Sequence, residues 1–524
     1  MVPGTLQRLW SQIPSRYLFG PAFLLIFGLG AFFRVHDLGG RNLWTDEAWV
    51  ALAALQGTPQ AALAAGQSTP PLYLLSVWAL AQIGGGSEAV LRSLSLFFGL
   101  GTLVLFWPLA RSLASRSAAL LGLCVVAFSP VMVYYAKELK QYSGDAFFAV
   151  LIFLLVERLR RADGKWAWLT LAVAGVLGLG FSHALVFILP VALVGMWFIL
   201  PPPRRWRVAL VGAVWAAAFA AWYLLFLRRQ VEPNLVSYWA QDFPDFSGLG
   251  AFLWWLGAAV YRYFWYFCGP RGIYWGLPLL VAGIVALSRQ GAGRLILYLG
   301  GPLLLAFGAA ALHRYPFMAH YGGNRLMLFS APLLYLVAAV GLMSLLTWLW
   351  HQRQRVATLA LAAVILLAVN PRGMIGESLY PLNNREEIQP LVAYLQKQIR
   401  PRDWVYVYYF AIPPFKYYFH GSEKRVCWGK SFDDPDQYEL PAPENGHPRR
   451  LWFIASHINS LAEVRGFARE LLGTEWREVS CLTRTGAVLF CFKWQGPQLA
   501  KTRTSLAVPG ESGPPAPSPG KAYR

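Results

Sequence analysis

Two adjacent carboxylates, Asp46 and Glu47, stand between Trp44 and Trp49 in the stretch Arg34 to Thr69, directly behind the first long apolar run of the sequence. Charged residues make up only 14% of the chain, so an acidic pair at this point stands out. A carboxylate in a water-exposed loop at a membrane face can act as a general base over a lipid-borne substrate. The same residues also suit a structural role, with Thr45 as an N-cap and Asp46 and Glu47 in the first turn of a helix over Ala48–Leu55, where the helix dipole favours negative charge. A second group lies in YYAKELKQYSGD, Tyr134 to Asp145, where Lys137, Glu138 and Lys140 crowd a span boundary. Cations fixed there would stabilise a departing phosphate, with Glu138 orienting one of them. Lysines at such boundaries also simply snorkel to the interface.

A third group, HRYPFMAHYGGNR, gathers His313, Arg314, Tyr315, His320, Tyr321 and Arg325 in one short turn, and Gly322 and Gly323 there permit a close backbone approach to a ligand. That density of donors suits a headgroup or phosphate, although an arginine pair can also act as an interfacial anchor and histidines can be merely solvated. Two histidines seven residues apart in a loop do not give a ligand spacing for zinc. A divalent cation on Asp46, Glu47 and Glu138 is chemically conceivable, because hard cations take carboxylates. No spacing in the chain demands one, and no metal ligands are assigned.

These residues need elements to hold them. With 524 residues, 56% hydrophobic and a mean hydropathy of +0.42, the chain is far more apolar and less charged than a soluble protein and reads as a polytopic α-helical membrane protein. Eleven apolar runs approach the length that crosses a bilayer, at 17–36, 89–110, 117–135, 143–160, 166–182, 184–200, 208–227, 272–288, 294–312, 325–349 and 355–370. The first follows Arg8 and Arg16 with no small-residue cleavage site behind it, so it reads as a retained span. Pro71–Ile83 and Phe252–Phe267 are shorter and aromatic-rich. If neither crosses, all the basic clusters from Arg111 to Arg355 fall on the side of Arg8 and Arg16, as the positive-inside rule requires. The two short pieces are then helices at the outer interface. The N-terminus is expected inside, with the loop of 37–88, the loops of 136–142, 228–271 and 313–324, and everything beyond about 371, outside the cell or inner membrane. The net charge of +20 then reflects topology and attraction to anionic headgroups rather than nucleic acid.

Residues 1–370 read as a membrane domain and 371–494 as a small extracytoplasmic α/β domain, with helices over Glu386–Ile399, Pro413–His420 and Ser460–Leu472 and strands over Trp404–Phe410, Leu451–Ala455 and Ala487–Lys493. The tail of 495–524, rich in Pro, Gly and Ser, is expected to be disordered. The five cysteines show no metal spacing. Cys481 and Cys491 flank the turn TRTG, and a disulfide across that hairpin is expected, since an outer location permits oxidation. No nucleotide-binding glycine loop is present, which disfavours direct use of nucleotide sugars or ATP.

The ordered series R-x-x-D-L, T-D-E-A, T-P-P-L-Y-L-L, S-E-A-V-L-R-S-L-S, Y-Y-A-K-E-L-K-Q-Y-S and G-G-N-R-L-M-L-F-S-A-P-L-L-Y-L, over about residues 15–350, resembles the GT-C membrane glycosyltransferases. In particular it is similar to glycosyltransferase family 39, relatives of protein O-mannosyltransferases and of the aminoarabinose transferase that modifies lipid A. The resemblance implies an inverting glycosyltransferase that takes sugar from a polyprenyl-phosphate donor to a lipid, glycan or protein acceptor at the outer membrane face. It implies Asp46 as the base that deprotonates the acceptor, with Glu47 and Glu138 beside it. Lys137, Lys140, Arg325 and Arg92 are implied at the donor phosphate. Lys140 stands where arginine is commoner in the family, keeping the charge but losing the planar fork. His313, Arg314, Tyr315 and Tyr321 are expected to contact substrate. The competing reading is a lipid or sugar transporter in which the same ionisable groups form a pathway. Against it, the polar residues cluster in outward loops rather than at paired broken helices at mid-membrane depth.

Overall fold

The computed structural model describes residues 15–66, 68–161, 163–229, 239–320, 323–369, 373, 375–376, 386–429, 450–458 and 460–495. The expected disordered tail, apart from Gln495, lies outside these residues, as do Tyr321, Gly322 and nearly all of 370–385.

The membrane part opens with α1 (Ser15–Val35), then α2 (Thr45–Ala54), α3 (Pro59–Ala65) and α4 (Pro71–Gly84) of the loop of 37–88. It continues with α5 (Glu88–Leu113), α6 (Arg116–Phe128), α7 (Pro130–Ala136), α8 (Tyr142–Leu159), α9 (Lys165–Phe181), α10 (Leu185–Ile199) and α11 (Arg205–Leu225). After α12 (Leu249–Cys268) come α13 (Gly272–Arg289) and α14 (Gly293–Ala311), a 3-10 turn over Gly323–Ser330, then α15 (Ala331–His351) and α16 (Arg355–Val369). Each expected span falls on a helix. Among the described residues, five helices are long and apolar enough to cross a bilayer on their own, or six if α6 and α7 count as one broken span.

The expected continuous span of 117–135 is bent by 56° between α6 and α7. Pro130 cannot donate to the helix ladder, and the Ser129 hydroxyl accepts from Met132 N at 3.4 Å to start the next turn. The bend lays the short α7 across α5, where a Cβ on Gly99 would come within 2.4 Å of Ala136 Cβ. This close approach delivers the loop of 137–141 to the loop of 37–88. The helix pair α13 and α15 is equally tight, for a Cβ on Gly283 would meet Val337 O at 2.1 Å and one on Gly341 would meet Leu279 O at 2.1 Å. Helix α12 is 20 residues long but two-faced. Leu249, Trp254 and Trp265 are exposed, whereas Trp255, Ala259, Tyr263 and Phe267 are buried.

Beyond the membrane helices lie α17 (Ile388–Gln398), β1 (Trp404–Val407), α18 (Ile412–Tyr418), β2 (Val426–Trp428), β3 (Arg450–Ser456), α19 (Leu461–Leu472), β4 (Trp476–Arg484) and β5 (Ala487–Trp494). The strands form one sheet in the order β2-β1-β3-β5-β4, parallel among the first three and antiparallel at β3, β5 and β4. Alternation along the strands serves two cores. Val405, Trp452, Leu489 and Cys491 pack with Leu391 of α17 and Phe415 of α18. Phe453, Val488 and Phe490 pack with Val464 and Ala468 of α19 on the other face, where Cys481 also lies. Strands β2 and β4 were not expected; β4 is an edge strand with five exposed residues and lacks a clean apolar alternation.

The expected disulfide does not form, and both cysteines are free thiols. Cys491 pairs with Ser480, whereas Cys481 pairs with Phe490. A one-residue offset places two side chains on opposite faces of a sheet, so the two sulfurs serve different cores.

Candidate active site

The first turn of α2 separates the two carboxylates. Successive helical side chains point about 100° apart, so Glu47 turns into the protein and is 1% exposed, while the Asp46 side chain stays 23% exposed. The expected capping role of Thr45 is not the one observed, because Trp44 occupies the N-cap position and Thr45 is already helical.

Glu47 is held by Arg92, whose Nε and Nη2 donate to its two carboxylate oxygens at 2.9 and 2.8 Å. The backbone N–H of Leu139 donates to the same group at 2.7 Å. Burial raises the proton affinity of Glu47, but the positive charges of Arg92 and Arg41 and the Leu139 N–H outweigh it and hold the carboxyl below its usual range. The remaining N–H groups of Arg92 go to the carbonyls of Leu38, Arg41 and Asn42, at 3.2, 2.9 and 3.3 Å. All five donors are therefore used inside the protein, which leaves Arg92 none to offer a phosphate. The Glu47–Arg92 pair instead ties the loop of 37–88 to the loop of 136–142 and to α5.

The Asp46 carboxylate meets Arg325, whose Nη2 lies 3.0 Å from Oδ2. Arg325 Nε donates to the Tyr142 hydroxyl at 2.9 Å, and the guanidinium lies over the rings of Trp44 and Tyr142, 5.3 and 5.6 Å from their centroids. Glu138 is fully buried and accepts from Trp44 Nε1 at 3.0 Å. Lys140 is 7% exposed and its ammonium makes no hydrogen bond or ion pair with the described residues. Burial pushes that ammonium below the usual lysine range, while the Asp46 carboxylate resists the shift and Arg325 adds to it. Lys137 parts from this group. Its Nζ donates to His36 O at 3.3 Å, at the end of α1, and burial with the Arg41 charge lowers it to about 8.

The segment His313–Arg325 divides as well. Arg325 goes to Asp46, whereas Tyr315 turns inward to Leu326 O at 3.1 Å and packs edge-on against Phe187. Arg314 is exposed, and His313, at φ 55°, rests against Phe243. His320 bonds to Asp242 through both its ring and its backbone N–H, and its other ring nitrogen lies 2.9 Å from Arg262 Nη1. A cavity of about 650 Å³ opens beside this trio, lined by Trp254, Trp255, Arg262, His313 and His320 among others. Neither Asp46 nor Lys140 nor Arg325 lines it. The imagined carboxylate cage for a cation is not assembled, since Glu47 is engaged by Arg92 and Glu138 by Trp44; among the described residues no group of three His, Cys, Asp or Glu converges as a metal site.

Four participants escaped sequence reading. Trp44 and Tyr142 flank the expected motifs and could have been included as the aromatic neighbours of T-D-E-A and K-Q-Y-S. Glu386 and His457 come from the C-terminal part of the chain. Glu386 Oε2 accepts from Thr45 N and Oγ1 at 3.1 and 3.0 Å, and its Oε1 lies 2.7 Å from His457 Nδ1. Only folding brings them within reach, across 341 residues of sequence.

Residues 68–227 match the family model described as dolichyl-phosphate-mannose–protein mannosyltransferase. No curated protein sequence matches the chain. Among solved structures, ArnT from Cupriavidus metallidurans, crystallised with undecaprenyl phosphate, superposes with a TM-score of 0.50 at 15% identity, covering 91% of this chain and 97% of that one. The oligosaccharyltransferase of Archaeoglobus fulgidus, tethered to an acceptor peptide, superposes with a TM-score of 0.51 at 10% identity, covering 92% of this chain and 74% of that one. At such identities the likeness is one of fold.

Proposed function

We infer that this chain, a multi-pass membrane glycosyltransferase of the GT-C fold with a protein-mannosyltransferase family match, moves a sugar from a polyprenyl-phosphate donor to a hydroxyl-bearing lipid, glycan or protein. The observation that carries the site assignment is the partly exposed Asp46 carboxylate facing Arg325, with the buried Lys140 ammonium, which has no hydrogen-bond or ion-pair partner among the described residues, within electrostatic reach of both. The three groups match the needs of one displacement. Asp46 takes the proton of the acceptor oxygen as that oxygen attacks the anomeric carbon. The bond from the anomeric carbon to the phosphate oxygen breaks, and Lys140 and Arg325 hold the phosphate as its charge grows. The attack from the opposite side inverts the anomeric centre. A buried lysine with no partner among the described residues carries a desolvation cost that an incoming phosphate relieves, which supports its place at the donor.

Glu138 positions the site through Trp44, the ring on which Arg325 rests. The cavity beside Arg262 and His320 is assigned to the acceptor side, which includes the expected His313 contact. The transporter reading draws no support from the family match or the fold. We propose that the reaction runs at the outer face of the cell membrane, with the N-terminus inside and the residues beyond about 371 outside, because this orientation puts the basic clusters of the short loops inside; the donor's lipid chain then stays in the bilayer while its phosphate reaches Lys140 and Arg325.

Purified protein is expected to transfer sugar from a polyprenyl-phosphate donor. Asp46→Asn should lower kcat by roughly two to four orders of magnitude, the scale of a lost general base, at unchanged thermal stability. Near wild-type transfer by a folded Asp46→Asn protein would remove Asp46 from the chemistry.

A further inference from the structure

We propose that Glu386 and His457, from the C-terminal part of the chain, complete this site as positioning residues, clamping the first turn of the helix that carries Asp46. The proposal rests on the assignment of Asp46 as base and extends it to a part of the chain that no sequence motif connects to the site.

The helix α2 lacks a cap of its own. Its N-cap residue Trp44 offers no side-chain acceptor to the first turn, and uncapped N–H groups at a helix start leave the turn free to fray. Glu386 supplies the missing acceptor from a distant segment. Its Oε2 takes the Thr45 N–H at 3.1 Å and lies 3.0 Å from the Thr45 hydroxyl, which also lies 2.7 Å from Phe410 O. A carboxylate at a helix N-terminus is favoured by the dipole as well as by the hydrogen bond. The Glu386 side chain is fully buried, and its second oxygen is occupied by His457 Nδ1 at 2.7 Å. With the Thr45 N–H on Oε2 and His457 Nδ1 on Oε1, both oxygens of the carboxylate are held, and the Thr45 hydroxyl proton lies between Oε2 and Phe410 O, which fixes the first turn of α2.

The His457 ring then reaches the site directly. It stacks on Trp44 with the planes 17° apart, and Arg325, the partner of Asp46, lies over the same indole. His457 follows β3 at φ 59°, a left-handed conformation that a non-glycine residue seldom adopts. Strain of this kind persists where surrounding contacts over-determine it, and it clusters at functional sites. The charged groups that face the imidazole are Glu386, Asp46 and Arg325. Helix α18 grips the residues just before this turn, since the Tyr418 hydroxyl accepts from Leu43 N at 2.8 Å. Asp46 is thus fixed from two sides, by Arg325 in the membrane part and by the clamp above it. A displacement of about 1 Å at a reacting group can cost on the order of 100-fold in rate, which is the scale on which such a clamp acts.

The test compares Glu386→Ala, Glu386→Gln and His457→Ala in the full-length purified protein, with Asp46→Asn as reference and activity expressed per folded molecule. Glu386→Ala should lower kcat roughly 10- to 100-fold, with the KM for the polyprenyl-phosphate donor changed less than about threefold, because the phosphate cations are untouched. Glu386→Gln keeps an acceptor for the Thr45 N–H and should recover part of that loss. His457→Ala leaves the Thr45 bonds in place but removes a positive neighbour of Asp46, so the acid limb of the kcat profile should move to higher pH. Wild-type kcat per folded molecule in Glu386→Ala, together with an unmoved pH profile in His457→Ala, overturns the clamp. Should Glu386→Ala not fold, the His457→Ala profile alone decides, and an unmoved limb counts against the proposal. If Asp46→Asn keeps full activity, it is the base assignment that has failed; if Asp46→Asn is inactive while the Glu386 and His457 variants are wild-type, only the clamp has.

Discussion

At the residue scale, the division of labour among neighbours follows from which charge is paired. Asp46 and Glu47 are chemically almost alike, yet Glu47 meets an arginine inside the protein and Asp46 meets one where its side chain is still partly exposed. A paired, buried carboxylate with every oxygen satisfied holds structure, whereas one that keeps solvent access can exchange a proton. Lys140 and Lys137 divide in the same way, for Lys137 caps a carbonyl at the end of α1 while the Lys140 ammonium has no protein partner among the described residues. Lys140→Ala is therefore expected to impair departure of the phosphate, with a large fall in kcat. Lys140→Arg should stay partly active because the charge is kept in a different shape. Rates measured on the three proteins with one donor check this, and equal activity of wild type and Lys140→Ala would exclude the lysine from the phosphate site.

At the element scale, buried polar pairs stitch the loops that carry the candidate site to one another. The Glu47–Arg92 pair joins α2 to α5 and, through Leu139 N, to the second loop. Breaking such a pair strands a charge in the interior, so Glu47→Ala should destabilise the protein by about 3–5 kcal/mol, while replacing both partners with apolar residues of similar volume should restore much of that. Thermal unfolding of the single and double variants in detergent measures it, and an equal loss in both would contradict a pairing effect. The Glu386–His457 tie adds a pH dependence. Burial disfavours the imidazolium, but its bond to Glu386 and the charges of Glu386 and Asp46 prevail and raise His457 above its ordinary value of 6.5. A raised folded-state pKa contributes stability that is complete below the unfolded value and is lost as pH rises through the folded value. The Tm difference between wild type and His457→Gln should accordingly be largest near pH 6 and shrink at alkaline pH, and a pH-independent difference would show the imidazole to be neutral throughout.

At the scale of the whole molecule, the bundle and the sheet divide the work between anchoring and closing the site. All the groups proposed to meet the donor phosphate and the acceptor hydroxyl lie at one end of the bundle, in loops and helix starts. The opposite end carries a separate network, in which Glu157 of α8 accepts from Tyr298 at 2.9 Å and pairs with Arg160 and Arg294. Single cysteines at Trp206 and at Ser422 test the proposed orientation. A membrane-impermeant thiol reagent applied to intact cells should label position 422 and spare position 206. The reverse pattern would invert the molecule and move the reaction to the inner face.

Much of this was legible in the sequence because bilayer crossing demands long apolar runs, and such runs survive without knowledge of neighbours. The helices at every expected span, the acidic pair at the start of α2 and the small sheet with its helices α17 and α19 belong to that class, since each depends on local pattern. The bend at Pro130 was written in the sequence but masked by the apolarity on both sides of it. Strands β2 and β4 were not legible, for one has three residues and the other is an edge strand whose exposure blurs alternation. Which carboxylate of the pair faces inward, which lysine has no partner among the described residues and which cysteines share a face depend on helical phase, sheet register and partners far along the chain. Glu386 sits 341 residues from Thr45, and nothing short of the folded chain relates the two. Tertiary structure decided these points because a buried charge takes its role from the group it meets, and sequence spacing carries no record of that meeting.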